Sequence, residues 1–498
     1  MGSRSLISTT FEKVTHNFSE YKHHLLYLTL FISFLVVAKL TPFTGDDWYW
    51  GSYFGVTALA NHFDGVNGRW AGNLIIIITT RFEIAQLLIE SLVNVGIVVS
   101  AISIIRFFSP ISHSRAFIAY MFATILIPIS VWAQTYFWSS GFANYNVSAL
   151  TILLLIRISL PLFFKRTENS KVGLIANCIV VVGIFLLAFI NQLFVENQTI
   201  FMLAASLIVL IFAIKNRHGL HKAIALIVGS VLGAWVMFFS NDSYQGMFYG
   251  DSEGFRHIGS SPLASLLEIY STRTLNFLFY DGIYIFLFLS IVIAVTMRKT
   301  TAQKVIGAFC VAFCSFLIFW PLVIHESSIL DFPLLNTLTA LLSIVFMLVS
   351  ILALLLQRDK SLLPLALILA TSYILVLIFS IQSTFGPRNF LLTFILINIV
   401  TVSLLVSVKH LRKEFFMYLA VPILAFTLAI GYGLVSNYQT SVANENVIKV
   451  AIQEDAPTIK LTRYRFPNLG QHLNPNERRI ERMKIFYGIN PDTEVSFE

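Results

Sequence analysis

Apolar residues along the chain gather into long runs separated by short polar stretches. Each run has the roughly 18–25 residues a helix needs to cross a bilayer. Runs at about 25–41, 83–105, 116–133, 146–164, 173–193, 198–214, 223–240, 275–297, 305–324, 334–357, 361–381, 389–408 and 415–435 predict thirteen spans. The expected fold class is an all-α polytopic membrane protein. An odd number of spans puts the two ends on opposite sides. The segment before the first span and those after each even-numbered span carry 19 Lys and Arg residues. The alternate short loops carry five: Arg69, Arg81, Arg256, Arg273 and Arg388. Cytoplasmic loops hold the excess of Lys and Arg, so the N-terminus is expected in the cytoplasm and the tail outside.

Between the spans the pattern is more varied. Val56, Leu59, Phe63 and Val66 recur at helical spacing among polar neighbours in the long first outer loop, which predicts a helix lying on the membrane surface. Asn67-Gly68 then predicts a turn. Glu83, Gln86, Glu90 and Asn94 form a polar stripe down one face of the second span. It reads either as an interhelical hydrogen-bond network or, through Glu83 and Glu90, as the wall of a substrate cavity. Arg157 lies inside the fourth span, where snorkelling past Pro161 to the cytoplasmic surface is expected. Beyond the last span, Asn474-Pro475 followed by Ile480, Met483, Tyr487 and Gly488 predicts a capped amphipathic helix. The chain divides accordingly into a cytoplasmic segment (1–24), a membrane domain (25–435) and an outer appendage (436–498).

Composition narrows the function. Of 498 residues, 56% are hydrophobic and 12% charged, which excludes a soluble enzyme. The formal charge of +8 does not mark a nucleic-acid binder, because its excess lies in the membrane portion, where it sets orientation. Cys178, Cys310 and Cys314 all fall in apolar runs, with neither a disulfide framework nor zinc spacing. The polar, mildly basic start does not resemble a cleaved signal, so the first run is expected to stay as a span.

Candidate chemistry concentrates in Thr41–Gly51, TPFTGDDWYWG, directly after the first span. Asp46 and Asp47 are paired carboxylates at a membrane edge, tolerated only near water or in a polar cavity. Adjacent side chains point about 100° apart on a helix, so only one should face a reacting centre; Asp46 is preferred. The alternative is helix capping or solvation at a span end. The stretch 134–146, QTYFWSSGFANYN, mixes Trp138 and Tyr145 with Asn144, a composition suited to a sugar ring or to an aromatic belt. Glu196 in a short outer loop is a candidate acceptor contact or a solvated charge. Arg388 is the sole cation of QSTFGPRN and precedes a helix, an arrangement suited to a phosphate or to interfacial anchoring. Arg256-His257 sits in a polar loop that could form a lid or an acceptor platform. His325-Glu326 lacks the second histidine of a zinc motif.

The acidic pair after the first span, the long first outer loop and the many spans together resemble the GT-C superfamily of membrane glycosyltransferases. DDWYWG, then VNGRW, WSSGFANY and the late FGPRN look like a bacterial branch that includes O-antigen-glucosylating enzymes. The resemblance implies a GT-C-like bundle and a polyprenyl-phosphate-linked sugar as donor. It also implies a lipid-linked or cell-wall polysaccharide acceptor at the outer face of the plasma membrane. It carries the role of catalytic base to Asp46 or Asp47, and that of donor-phosphate ligand to Arg388 first and Arg69 second. FFSNDSYQG after the seventh span departs from the PGNYxR-like pattern of the family, so no role passes to that loop. Such chemistry requires no cofactor, and a divalent metal is optional. The competing expectations are a flippase for lipid-linked sugars and a polysaccharide polymerase or ligase.

Overall fold

A computed structural model describes residues 23–164, 174–240, 262–298, 300–323, 333–357, 362–379, 385–408 and 411–498. Among these residues the chain is predominantly helical, with one two-stranded sheet. Nine helices are long and apolar enough to cross a membrane, or up to eleven if each of two bent pairs counts as one span. The first bent pair, His113–Ile125 and Ile129–Thr135, turns by 97° at Ile127-Pro128. The proline ring fixes the backbone and removes an amide donor, which favours a bend at this point. The second pair, Leu266–Tyr280 and Ile283–Thr296, turns by 66° at Asp281-Gly282. The remaining two predicted spans are shorter apolar helices, Ile175–Asn191 and Leu363–Leu377. The protein is a multi-pass helical membrane protein.

The helix Pro387–Val406 is the axis of the bundle, with its whole apolar window buried. Glu83–Phe108, His113–Ile125, Ile283–Thr296 and Leu363–Phe379 pack around it. Its polar side chains past Arg388 are buried with the rest, Asn398 donating to Ala123 O at 2.9 Å. Its first turn, Pro387–Phe390, is a 3₁₀ helix that carries Arg388 to the end of the bundle.

The first long loop folds into three short helices, Asp46–Gly51, Tyr53–Ala60 and Trp70–Thr79. The expected surface helix is therefore shorter than its apolar spacing suggested. Val56 and Leu59 are exposed, but Phe63 lies past the helix end and is buried. His62 and Phe63 take positive φ values, and Phe63 folds under Trp50 and Trp70.

The helix that contains the last predicted span continues beyond residue 435. Lys413–Gln453 is a single helix of 41 residues, about 60 Å long at 1.5 Å per residue and twice the thickness of a bilayer core. Asn437 and Asn444, two turns apart, hold the tail against it. Asn437 donates to Phe466 O (2.8 Å) and accepts from Phe466 N (3.1 Å). Asn444 does the same with Thr462, at 2.9 Å each way. The tail forms a parallel pair of strands, β1 (Thr458–Leu461) and β2 (Glu494–Phe497), and the helix Glu477–Tyr487. That helix ends at Gly488 in the left-handed conformation, as the sequence pattern predicts.

The core of this tail is completed from outside it. Trp48 of the acidic helix joins Ile448, Ile459, Leu461, Met483 and Ile489 in one buried cluster. Gly51 lies so close to Phe486 that a Cβ would come within 2.5 Å of its ring. Trp48→Ala should cost about 3–5 kcal/mol of local stability and speed proteolytic cleavage within residues 454–498; an unchanged cleavage rate in the purified membrane protein would contradict this packing.

Candidate functional site

The two aspartates separate as adjacent helical residues must. Gly45 has φ +56, a left-handed conformation that glycine adopts without strain, and it turns the chain into the helix Asp46–Gly51. A Cβ there would also press on His472, 3.1 Å away. From this turn Asp47 points into the protein and is fully buried. Its Oδ2 accepts from the Thr44 amide (3.0 Å), and its Oδ1 from the Ser140 amide (2.8 Å) and hydroxyl (2.5 Å). Burial pushes the Asp47 carboxyl up to about 7 even against these three donors, and the Asp46 charge adds to the rise. Asp47 thus ties the first long loop to the WSSG turn.

Asp46 points outward. Its side chain is 45% exposed and forms an ion pair with Arg482 of the tail helix. The Arg482 guanidinium also lies over the Tyr49 ring, 5.4 Å from its centre. Beside this pair stands His472, 6.4 Å from the Trp138 ring centre and edge-on to it. Its pKa falls to about 4, first through burial, then through Arg479, Arg388 and Arg482, with Asp46 opposing. The imidazole is neutral near pH 7. Those four charges converge on it from the beginning, the bundle axis and the tail of the chain. Three guanidiniums against one carboxylate make a region biased towards anions.

Arg388 enters from the axial helix. Its guanidinium stacks over Trp138 at 5.5 Å and Tyr145 at 6.0 Å, and its Nε donates to the Tyr145 hydroxyl at 3.3 Å. Trp138 is buried beneath it and donates Nε1–H to Thr44 O at 3.2 Å. The aromatic pair expected to carry a sugar is therefore the seat of the Arg388 cation. Gln134 Oε1, from the short helix past the Pro128 bend, is buried without a hydrogen-bond partner and faces Gly386, 3.3 Å from where a Cβ would stand.

The segment after Trp138 is a short helix, Ser139–Gly141, followed by a π-helical turn, Phe142–Asn146. Such turns release one residue from the regular ladder and often mark functional positions. Gly141 permits it, since a Cβ would lie 1.9 Å from Gln134 O. The polar stripe of the second span meets this segment. Glu90 is buried and accepts from the Ser139 hydroxyl at 2.8 Å, Gln86 donates to the same oxygen at 3.3 Å, and Asn94 accepts from Asn146 at 2.9 Å. Neighbouring serines thus hold one buried carboxylate each, Ser139 with Glu90 and Ser140 with Asp47.

The other sequence candidates fall elsewhere. Glu83 is exposed and pairs with Lys39, so the stripe that forms the network begins at Gln86. Asn144 donates to Ser140 O at 2.9 Å and packs on Gly72, supporting the turn from within. Arg69 and Glu196 grip each other through two bonds, Nε–Oε1 at 3.2 Å and Nη2–Oε2 at 2.8 Å. Each neutralises the other, joining the first long loop to the start of the helix Glu196–Asn216. Arg256-His257 and His325-Glu326 lie outside the described residues. Arg479, Arg482 and His472 were not legible as site residues. RRIER reads as the solvated face of an amphipathic helix, and only packing against the acidic loop turns it inward.

Comparison with protein-family models, curated proteins and solved structures returns no match.

The burial of Asp47 has a pH consequence. A carboxyl whose pKa rises on folding favours the fold most below about pH 4, where both states are protonated. That contribution, up to roughly 4 kcal/mol, is lost as pH rises through about 7. Thermal unfolding of wild type and Asp47→Asn should therefore differ by an amount that shifts against wild type between about pH 4 and 7 and then levels off. A pH-independent difference would show that Asp47 ionises freely in the folded protein.

Proposed function

We propose that the chain is an inverting glycosyltransferase with a GT-C-like bundle. It moves a sugar from a polyprenyl-phosphate donor to a lipid-linked or cell-wall polysaccharide at the outer face of the plasma membrane. The N-terminus is then cytoplasmic and the tail outside, as the distribution of Lys and Arg favours. The observation that carries the reading is the meeting of one accessible carboxylate, Asp46, with Arg388, Arg479 and Arg482 around His472. A lipid phosphate is the anion a membrane protein can recruit to such a place.

The chemistry follows from these groups. Asp46 takes the proton of the acceptor hydroxyl as its oxygen attacks the anomeric carbon. The bond from that carbon to the phosphate oxygen breaks on the opposite face, so the configuration inverts. Arg388, with Arg482, receives the charge that grows on the departing phosphate. The phosphate leaves without protonation, so no general acid is needed. In the resting arrangement Arg482 is paired with Asp46. A donor phosphate competes for that guanidinium and frees the carboxylate to act. Asp47 acts through position, holding the acidic helix to Ser140 while its neighbour faces the substrate. Gln134 Oε1 is available to accept from a sugar hydroxyl.

The two bent spans are features that a transporter of lipid-linked sugars would share. Transfer distinguishes the readings. In membranes supplied with a labelled polyprenyl-phosphate sugar, Asp46→Asn should lower transfer by about 10²–10⁴-fold at unchanged protein level. Arg388→Ala should raise the donor KM and lower kcat. Full transfer by Asp46→Asn removes the proposed base. Movement of the labelled lipid across the bilayer without transfer would establish the transporter instead.

A further inference from the structure

A second cationic place lies at the other end of the helix Glu83–Phe108. Glu90 supports the site just described; Arg106 is sixteen residues further on, roughly 24 Å along the helix axis. There an open cavity of about 1080 Å³ is bounded by Ser103, Arg106, His113 and Arg157, with Phe107 and Phe164 among its apolar walls. Because the helix spans the membrane, this cavity belongs to the opposite membrane face.

The polar atoms around it are arranged for an anion. Arg157, expected to reach the membrane surface past Pro161, lines this cavity together with it. Its Nε donates to the Ser103 hydroxyl at 2.8 Å, and its guanidinium lies over the Phe107 ring at 5.3 Å. Arg106 donates Nη1–H to His113 Nδ1 at 3.2 Å and Nε–H to Ile111 O at 3.4 Å. His113 Nδ1 is therefore an acceptor, leaving the Nε2 proton to its short hydrogen bond with the Tyr27 hydroxyl. That imidazole is neutral and does not compensate either arginine. Among the described residues no carboxylate pairs with Arg106 or Arg157 and none lines the cavity. Arg106 is exposed and Arg157 half-buried, so both guanidiniums can offer Nη donors to an anion that enters the cavity.

We propose that this cavity binds the phosphate of an anionic membrane lipid. Arg106 and Arg157 hold the head group, and the Phe107 and Phe164 side takes the start of an acyl chain. A basic pocket between spans at head-group depth meets lipid phosphate at high local concentration. The planar guanidiniums present paired N–H groups to its oxygens. The site is independent of the transferase reading, since none of its residues takes part in that chemistry.

The test uses the purified full chain in neutral detergent, with phosphatidylglycerol, phosphatidylcholine or inorganic phosphate added. Thermal unfolding and native mass spectrometry are the readouts. Phosphatidylglycerol should raise the melting temperature and remain bound, while phosphatidylcholine and inorganic phosphate do neither. Arg106→Gln, at an exposed position, should keep the fold and raise the phosphatidylglycerol concentration needed by about tenfold. Arg106→Gln with Arg157→Gln should abolish the shift. Equal phosphatidylglycerol shifts in wild type and Arg106→Gln would overturn the proposal. A shift with inorganic phosphate as large as with phosphatidylglycerol would assign the cavity to free phosphate and overturn the lipid assignment.

Discussion

The arrangement depends on the burial of one carboxylate. Asp47 has no access to water, so its oxygens must be met by protein donors, and the two that fix its position come from Ser140, 93 residues away in sequence. A buried carboxylate deprived of such partners costs several kcal/mol. The acidic loop and the WSSG turn are therefore held together, and Gly45 supplies the backbone conformation that lets Asp47 turn inward. Its neighbour is left facing out. The division of labour between Asp46 and Asp47 follows from helix geometry once the second of them is anchored.

Three further segments settle around this anchor. The axial helix brings Arg388 onto Trp138 and Tyr145, whose ring faces favour a cation. The tail doubles back along the long final helix, seals Trp48 into its own core and places Arg482 on Asp46. The same packing that stabilises the tail thereby sets the charge balance of the candidate site. Glu90, one serine away from Asp47, adds a second buried acid to the supporting network. The cationic character of the region is thus distributed over residues that start, cross and end the chain.

Much of the helical scaffold was readable from apolar run length, because a bilayer imposes one length on every span. The bends were not. Run length treats 116–133 as one helix, although the chain bends by 97° at Pro128; Pro422 lies within the unbroken helix Lys413–Gln453, so a proline in the sequence does not by itself locate a bend. The full length of the last helix was not readable for a related reason: hydropathy marks where lipid contact stops, while the helix continues to Gln453 with the tail packed against it. The acidic pair stood out by its position after a span, and side-chain geometry required only that its two members face different ways; that Asp46 is the outward one is read from the fold. Arg69 and Glu196 were each plausible alone, and only the folded chain shows that they occupy each other. The tail arginines carried no signal, since a charged face looks alike whether it meets water or another loop.

The most direct test is an experimental structure of the protein with a polyprenyl phosphate bound. The phosphate is expected between the Arg388 and Arg482 guanidiniums, with Asp46 released from Arg482 and directed at the position the anomeric carbon would occupy. A phosphate bound elsewhere, with Asp46 and Arg482 still paired, would contradict the account.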